Sequence, residues 1–154
     1  IRDFYNLNIS TGILFNHDSE YRSNLNFIQK IINYLNANNF QKKLQLGNID
    51  VYRDFGLAKD YVVAMHKINQ QKKSDDYIIA TGKSIKLRKL IKYAFDIKNM
   101  NYKNYIEIDM NKFSQKEIIF NAVNNTKIKK LNWKPKYTIY DLIKSSLTSK
   151  NFHF

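Results

Sequence analysis

Apolar residues recur along this chain in two patterns, as short continuous runs and as longer segments with helical spacing. The short runs at residues 9–15, 44–46, 77–81 and 105–109 are rich in β-branched and aromatic residues and predict strands. The run at 9–15 is apolar at nearly every position, which predicts a strand buried on both faces.

Helical spacing predicts four further elements, each with an apolar stripe. These elements begin near Asn26, at Leu57, after Ser84 and after Thr138. The first three stripes are Phe27, Ile28, Ile31, Ile32 and Leu35; Ala58, Tyr61, Val62, Met65 and Ile68; and Leu87, Leu90, Ile91, Ala94 and Phe95. A shorter helix is expected over 126–131. Strands that alternate with helices in this order predict an α/β fold.

The connections follow from polar and turn-forming residues. Residues 16–23 are polar and predict a loop, and Arg53 falls on the predicted loop between the strand at 44–46 and the helix at Leu57. Ser84 is expected to cap its helix. The sequence Thr138-Ile-Tyr-Asp141 is similar to a capping box, with Asp in place of the commoner Glu.

Composition limits the class of protein. A chain of 154 residues can bury one core, and no apolar run approaches the roughly 20 residues that span a bilayer. The absence of Cys excludes disulfides and thiolate metal sites and fits a reducing compartment, so we expect a cytoplasmic protein. His17, His66 and His153 lack placed carboxylate neighbours, and no metal site is predicted.

The net charge of +13 raises a nucleic-acid-binding module as one alternative. The cations are overwhelmingly Lys, dispersed among Asn, Ile and Tyr as in an A/T-biased gene, which favours a solvated basic surface. Gly12, Gly47, Gly56 and Gly82 do not form a G-x-G-x-x-G or P-loop pattern. Independent dinucleotide binding through such a loop is therefore not predicted.

Three segments together resemble the C-terminal half of the GDP-mannose 4,6-dehydratases, which are extended short-chain dehydrogenase/reductases acting on nucleotide sugars. The segments are residues 11–19, 46–65 and 77–82. The resemblance implies that 1–154 is the substrate-binding half, with part of a Rossmann-type sheet and a small α/β domain. It also implies that the N-terminal dinucleotide-binding part is absent, so we expect exposed strand edges and either a missing half or a homo-oligomer.

The resemblance carries four site residues. His17 and Arg22 match NADP contacts of the family, whereas Lys30 and Arg53 match cations that approach the nucleotide-sugar diphosphate. An imidazole can hydrogen-bond the nicotinamide end, and a guanidinium offers a fork to phosphate oxygens. The alternative is that His17 and Arg22 are ordinary loop residues. Likewise, Lys30 would be a solvated Lys on its helix, and Arg53 would pair with Asp54. The catalytic Tyr, Lys, Thr and Glu of the family have no counterpart here, which implies that no catalytic residue lies in this chain.

Two departures leave the substrate open. Thr11 stands where the family has an Asn that contacts the sugar nucleotide, and Ser114 stands where an Arg holds the nucleotide. GDP-mannose is the expected ligand, and another NAD(P)-dependent nucleotide-sugar epimerase, dehydratase or reductase is the alternative. The tail 125–135, with Leu131 and Trp133, and the helix start at Asp60 are interpreted as fold markers.

Overall fold

The computed structural model describes residues 2, 4, 5, 7–113, 118, 119 and 123–148, and these form seven strands and five α-helices. The strands are β1 (Thr11–Leu14), β2 (Asn16–Asp18), β3 (Leu44–Leu46), β4 (Tyr52–Leu57), β5 (Asp76–Ile79), β6 (Ser84–Lys86) and β7 (Ile106–Ile108). The helices are α1 (Phe27–Ala37), α2 (Ala58–Asn69), α3 (Leu87–Ile97), α4 (Thr126–Lys129) and α5 (Ile139–Thr148). Single 3₁₀ turns span Tyr102–Asn104 and Met110–Lys112. The predicted α/β class is confirmed.

The strands form three small sheets. β1 pairs in parallel with β5, and β3 pairs in parallel with β7. In the third sheet β4 is central, parallel to β2 and antiparallel to β6. The registers place His17 opposite Gly56 and Arg53 opposite Ile85.

Most of the buried apolar side chains lie in one cluster formed by α1, α3 and α5 with β3, residues 49 and 51, and the end of β4. The predicted stripe of α3 is buried in full, from Leu87 to Phe95. A second cluster joins α2 to β5 and the tail. Its members are Tyr61, Ala64, Ile68, Tyr77, Ile79, Ile128 and Trp133.

The predicted stripe of α2 is partly wrong. Tyr61, Ala64 and Ile68 are buried, whereas Val62 is 60% exposed and Met65 is 41% exposed. The buried set has the spacing of three and four residues that presents one narrow face to the sheets. The second cluster covers that face only, so Val62 and Met65 lie beside it in solvent.

The prediction that the first strand is buried on both faces is also wrong. All four residues of β1 are exposed. β1 contacts β5 and α2, and within the described ranges no element covers its other face or pairs with its other edge. An apolar strand is therefore open to solvent here.

Two local predictions need correction. Asn16–Asp18 is strand β2 rather than the start of a loop, because it joins the parallel ladder of β4. Ser84 does not cap α3. It is the first residue of β6, where it pairs with Asp54 of β4, and the helix begins three residues later. One half of the capping box of α5 is confirmed, because the Thr138 N–H donates to Asp141 Oδ2 at 2.7 Å. The other half is absent, since the Thr138 hydroxyl also donates to Asp141 Oδ2 and the Asp141 N–H donates to the Thr138 carbonyl.

Candidate functional site

A cleft of about 350 Å³ opens where β1 passes into β2, beside the start of α1. Its lining residues are Leu14, Phe15, Asn16, His17, Asp18, Arg22, Asn26, Phe27 and Phe55. Both residues predicted to bind cofactor, His17 and Arg22, lie in this lining. The cleft thus combines a guanidinium, an imidazole, a carboxyl group and two Asn amides with four aromatic or aliphatic residues.

The backbone fixes the tautomer of His17. Its Nδ1 lies 2.8 Å from the Phe15 carbonyl oxygen, which can only accept a hydrogen bond. Nδ1 therefore carries the proton in the neutral ring, and Nε2 is left as an acceptor. The ring also packs on Tyr61, with centroids 4.9 Å apart and planes tilted by 33°. His17 is consequently held by strand pairing, one hydrogen bond and one ring contact.

Two buried polar side chains, Asp18 and Gln29, hold the loop that carries Arg22. The Ser19 N–H donates to Asp18 Oδ1 at 2.8 Å, and Gln29 Nε2 on α1 donates to the Ser19 carbonyl at 2.8 Å. Asp18 is 3% exposed and Gln29 is 5% exposed. Burial raises the pKa of Asp18, against the hydrogen bond from Ser19 and the charge of Arg22.

The two predicted diphosphate-binding cations do not line this cleft, but both lie next to residues that do. Lys30 is exposed and lies one helical turn beyond Asn26, whose carbonyl accepts from the Lys30 N–H at 2.8 Å. Arg53 lies two residues before Phe55 on β4, so their side chains leave the same face of the strand about 7 Å apart along it.

The expectation that Arg53 lies on a loop is wrong, since it is the second residue of β4. Its Nη1 donates to the Tyr52 carbonyl at 2.8 Å and to the Ile118 carbonyl at 2.6 Å. The Tyr52 N–H also donates to the Ile119 carbonyl at 2.7 Å. Arg53 therefore fastens the segment at 118–119 to the start of β4.

Asp54, on the opposite face of β4, organises the turn between β5 and β6. Its Oδ1 accepts from Thr81 N at 3.0 Å and Thr81 Oγ1 at 2.7 Å. Its Oδ2 accepts from Gly82 N at 2.7 Å and Lys83 N at 3.1 Å. The carboxylate is 1% exposed, so these four donors replace its hydration. The alternative of a simple Arg53–Asp54 pair does not describe this arrangement.

Comparison with known proteins decides the family. A family model described as GDP-mannose 4,6 dehydratase matches residues 1–146. The chain belongs to the GDP-mannose 4,6-dehydratase family. It is 38% identical over 146 residues to GDP-mannose 4,6 dehydratase 1 of Arabidopsis thaliana, covering 93% of this chain and 40% of that protein. The human GDP-mannose 4,6 dehydratase is 34% identical over 164 residues, covering 93% and 44%.

Solved structures show the same fold. A dTDP-glucose 4,6-dehydratase from Bacillus anthracis in complex with NAD superimposes with a TM-score of 0.79 at 19% identity, over 95% of this chain and 45% of that one. A UDP-glucose 4-epimerase from Thermotoga maritima with UDP-glucose gives a TM-score of 0.80 at 16% identity, over 95% and 47%. The chain thus spans less than half the length of these dehydratases and epimerases.

Within this GDP-mannose 4,6-dehydratase family member, sequence reasoning missed Asp18, Gln29 and Phe55. A signal existed for Gln29, because it is a polar residue next to the apolar stripe of α1. Phe55 could be placed only once β2 and β4 were known to pair. Thr11 is exposed on β1 and is not in the cleft lining, and Ser114 lies outside the described residues.

The cleft is chemically suited to part of a nicotinamide dinucleotide. The exposed Arg22 can neutralise a phosphate, His17 Nε2 can accept from a carboxamide N–H, and Phe27 and Phe55 offer apolar walls. Among the described helices, the structure contains none long and apolar enough to cross a membrane.

Proposed function

We propose that this chain is the substrate-binding, C-terminal part of a nucleotide-sugar 4,6-dehydratase that acts on GDP-mannose with NADP. In this proposal His17 and Arg22 hold the cofactor, and Lys30 and Arg53 neutralise the diphosphate of the sugar nucleotide. The observation that carries it is the cleft that brings His17 and Arg22 together on the framework of this family.

The positions of the four residues support separate roles in binding the cofactor and the sugar nucleotide. Arg22 and His17 face the cleft, while Lys30 and Arg53 flank it from α1 and β4. A pyrophosphate carries charge that needs such neutralisation, and a side chain held on a strand loses little freedom when it binds. Arg53 is held in this way through its bonds to the Tyr52 and Ile118 carbonyls.

The chain's own residues would bind and orient rather than react. NADP, when bound, supplies the chemistry of taking hydride from C4 of the sugar and returning it to C6. His17 would hold the nicotinamide end through Nε2, since Nδ1 is committed to the Phe15 carbonyl. The family's proton-transferring Tyr and Lys have no counterpart among these 154 residues, so we expect no turnover of GDP-mannose by this chain alone.

The proposal is tested by calorimetry of the 154-residue chain with GDP-mannose, UDP-glucose and a CDP-hexose. GDP-mannose should bind most tightly, and Arg53→Gln should weaken it by about 10- to 100-fold, the worth of one charged hydrogen bond. Arg88→Gln is the matched control, because Arg88 pairs with Asp50 away from the cleft and should leave affinity unchanged.

The cofactor side is tested separately by titrating NADPH and following its fluorescence. Arg22→Gln should reduce NADPH affinity, whereas Arg88→Gln should not. Equal affinity for all three sugar nucleotides would refute the assigned roles. So would an effect of Arg88→Gln equal to that of Arg53→Gln on GDP-mannose affinity, or equal to that of Arg22→Gln on NADPH affinity. Tighter binding of UDP- or CDP-hexose would favour another nucleotide-sugar enzyme on the same fold.

A further inference from the structure

The proposed cofactor cleft is backed by a tyrosine that does not line it. Tyr61, in the first turn of α2, is 1% exposed and lies outside the cleft lining. Its ring nevertheless packs on the His17 imidazole, with centroids 4.9 Å apart and planes tilted by 33°. A second, edge-to-face contact joins Tyr61 to the buried Trp133, with centroids 6.2 Å apart. Tyr61 therefore contacts His17 from behind the cleft, on a buried aromatic support.

The strand beside His17 leaves room for this ring. The register of β2 and β4 places Gly56 directly opposite His17. A Cβ at position 56 would lie 2.4 Å from Tyr61 Cε2 and 3.2 Å from Thr81 Cγ2. Carbon atoms that are not bonded to each other prefer a separation of about 3.5–4.0 Å, so a side chain at this position would displace the Tyr61 ring. Glycine at position 56 thus allows the ring to reach His17.

The Tyr61 hydroxyl contributes little to this contact. It lies 3.4 Å from the Asn16 carbonyl oxygen, which is long for an O–H···O hydrogen bond. Burial raises the pKa of Tyr61, and the charges of Asp54 and Asp60 act in the same direction. The phenol therefore stays neutral near pH 7 and is not a base, so what Tyr61 offers His17 is its ring.

We propose that Tyr61 is a positioning residue, whose ring holds the His17 imidazole in the orientation and tautomer that present Nε2 to the nicotinamide end of the cofactor. The hydrogen bond from Nδ1 to the Phe15 carbonyl fixes one atom of the imidazole, and packing against a second ring also restricts its plane. A side chain held in both ways loses little freedom when a ligand binds. The inference rests on the proposed function, because it takes His17 to bind the cofactor.

The first test needs no ligand and follows the His17 ring by ¹H–¹⁵N NMR of the 154-residue chain, at a mildly alkaline pH where imidazole is neutral. The His17 signals are assigned by their loss in His17→Gln. The unaltered chain should show mainly the Nδ1–H tautomer and a ring-current shift from Tyr61. Tyr61→Leu should abolish that shift and raise the fraction of the Nε2–H tautomer several-fold, whereas Tyr61→Phe keeps the ring and should retain both features.

Tyr77→Leu is the matched control, because Tyr77 is a 6% exposed tyrosine of the same buried cluster and lies on β5. It should leave the His17 signals unchanged. Gly56→Ala is an independent way to displace the ring, and it should change those signals in the same direction as Tyr61→Leu. Circular dichroism checks that each variant folds. Unchanged His17 signals in whichever of Tyr61→Leu and Gly56→Ala folds, or equal changes in Tyr77→Leu, would overturn the proposal.

The second test is a double-mutant cycle on NADPH affinity. Tyr61→Leu should weaken binding by about 3- to 10-fold, the worth of one neutral hydrogen bond, and should have no further effect when His17 is already Gln. Additive effects would mean that Tyr61 does not act through His17 and would overturn the positioning role alone. An unaltered NADPH affinity in His17→Gln would instead refute the proposed function, so the two failures are distinguishable.

Discussion

Substitution of Asp54 tests whether one buried carboxylate holds the turn between β5 and β6. Asp54→Asn keeps an acceptor for the two Thr81 donors, but it turns an NH₂ group toward the Gly82 and Lys83 N–H groups. Two charge-assisted hydrogen bonds are lost and donors then face donors. Each such bond contributes about 1.5–3 kcal/mol, and Lys83 N retains Thr81 Oγ1 at 3.1 Å as a second acceptor.

We therefore expect Asp54→Asn to lower the free energy of unfolding by about 3 kcal/mol, and Asp54→Ala by at least as much, because it leaves all four donors without the carboxylate. The assay is urea unfolding followed by circular dichroism, with the free energy extrapolated linearly to zero denaturant.

The matched control is Asp50→Asn, four residues earlier in the chain. The Asp50 side chain is 47% exposed and pairs with Lys86 at 2.9 Å and with Arg88. Because Asp50 is half exposed but accepts a bidentate pair from Arg88 as well as Lys86, this variant should cost about 1 kcal/mol, less than Asp54→Asn. If Asp54→Asn cost no more than Asp50→Asn, the interpretation of Asp54 as the organiser of the turn would be refuted.

Two further predictions concern the same turn and the cleft. Gly82 has φ of +78°, and an added Cβ would lie 2.9 Å from Asn125 Nδ2. Gly82→Ala should therefore lower the free energy of unfolding by about 1–2 kcal/mol or more, measured by thermal unfolding. Gly12→Ala is the control and should lower it less, because a Cβ there meets only the end of the Ile79 side chain. Burial raises the pKa of Asp18, so the folded state binds a proton at this carboxylate more tightly than the unfolded chain does. The stability gained from that protonation is present at low pH and is lost as the pH rises through the folded-state pKa of Asp18. The stability of Asp18→Asn relative to the unaltered protein should accordingly be greater near pH 7 than near pH 4 in urea unfolding, and a difference independent of pH would contradict this account.

The elements that periodicity predicted correctly are those whose burial is local. Every stripe residue of α3 is buried, because the helix packs into the main cluster along its whole length. The strand β3 has the predicted bounds, and β7 lies within the predicted run. In α3 and β3 the apolar positions along the chain are the positions that neighbouring elements bury.

The errors occur where covering depends on partners distant in sequence. An apolar run predicts burial of β1, yet nothing in the described chain covers Ile13. The polar residues 16–18 predict a loop, and only pairing with β4 makes them a strand. The same pairing moves Phe55 beside His17. Arg53 lies on a strand because it pairs with Ile85 of β6, and no local signal indicates either pairing.

Asp60 at the start of α2 has a consequence for how this protein comes apart. Its Oδ2 accepts from the Lys136 and Tyr137 N–H groups at 3.0 Å each, and its carbonyl accepts from Trp133 Nε1 at 2.9 Å. Residues 133–137 lead directly into α5, which belongs to the other hydrophobic cluster. Withdrawal of α5 therefore pulls on the first turn of α2, so both clusters should lose their protection against hydrogen exchange in a single cooperative opening rather than one after the other.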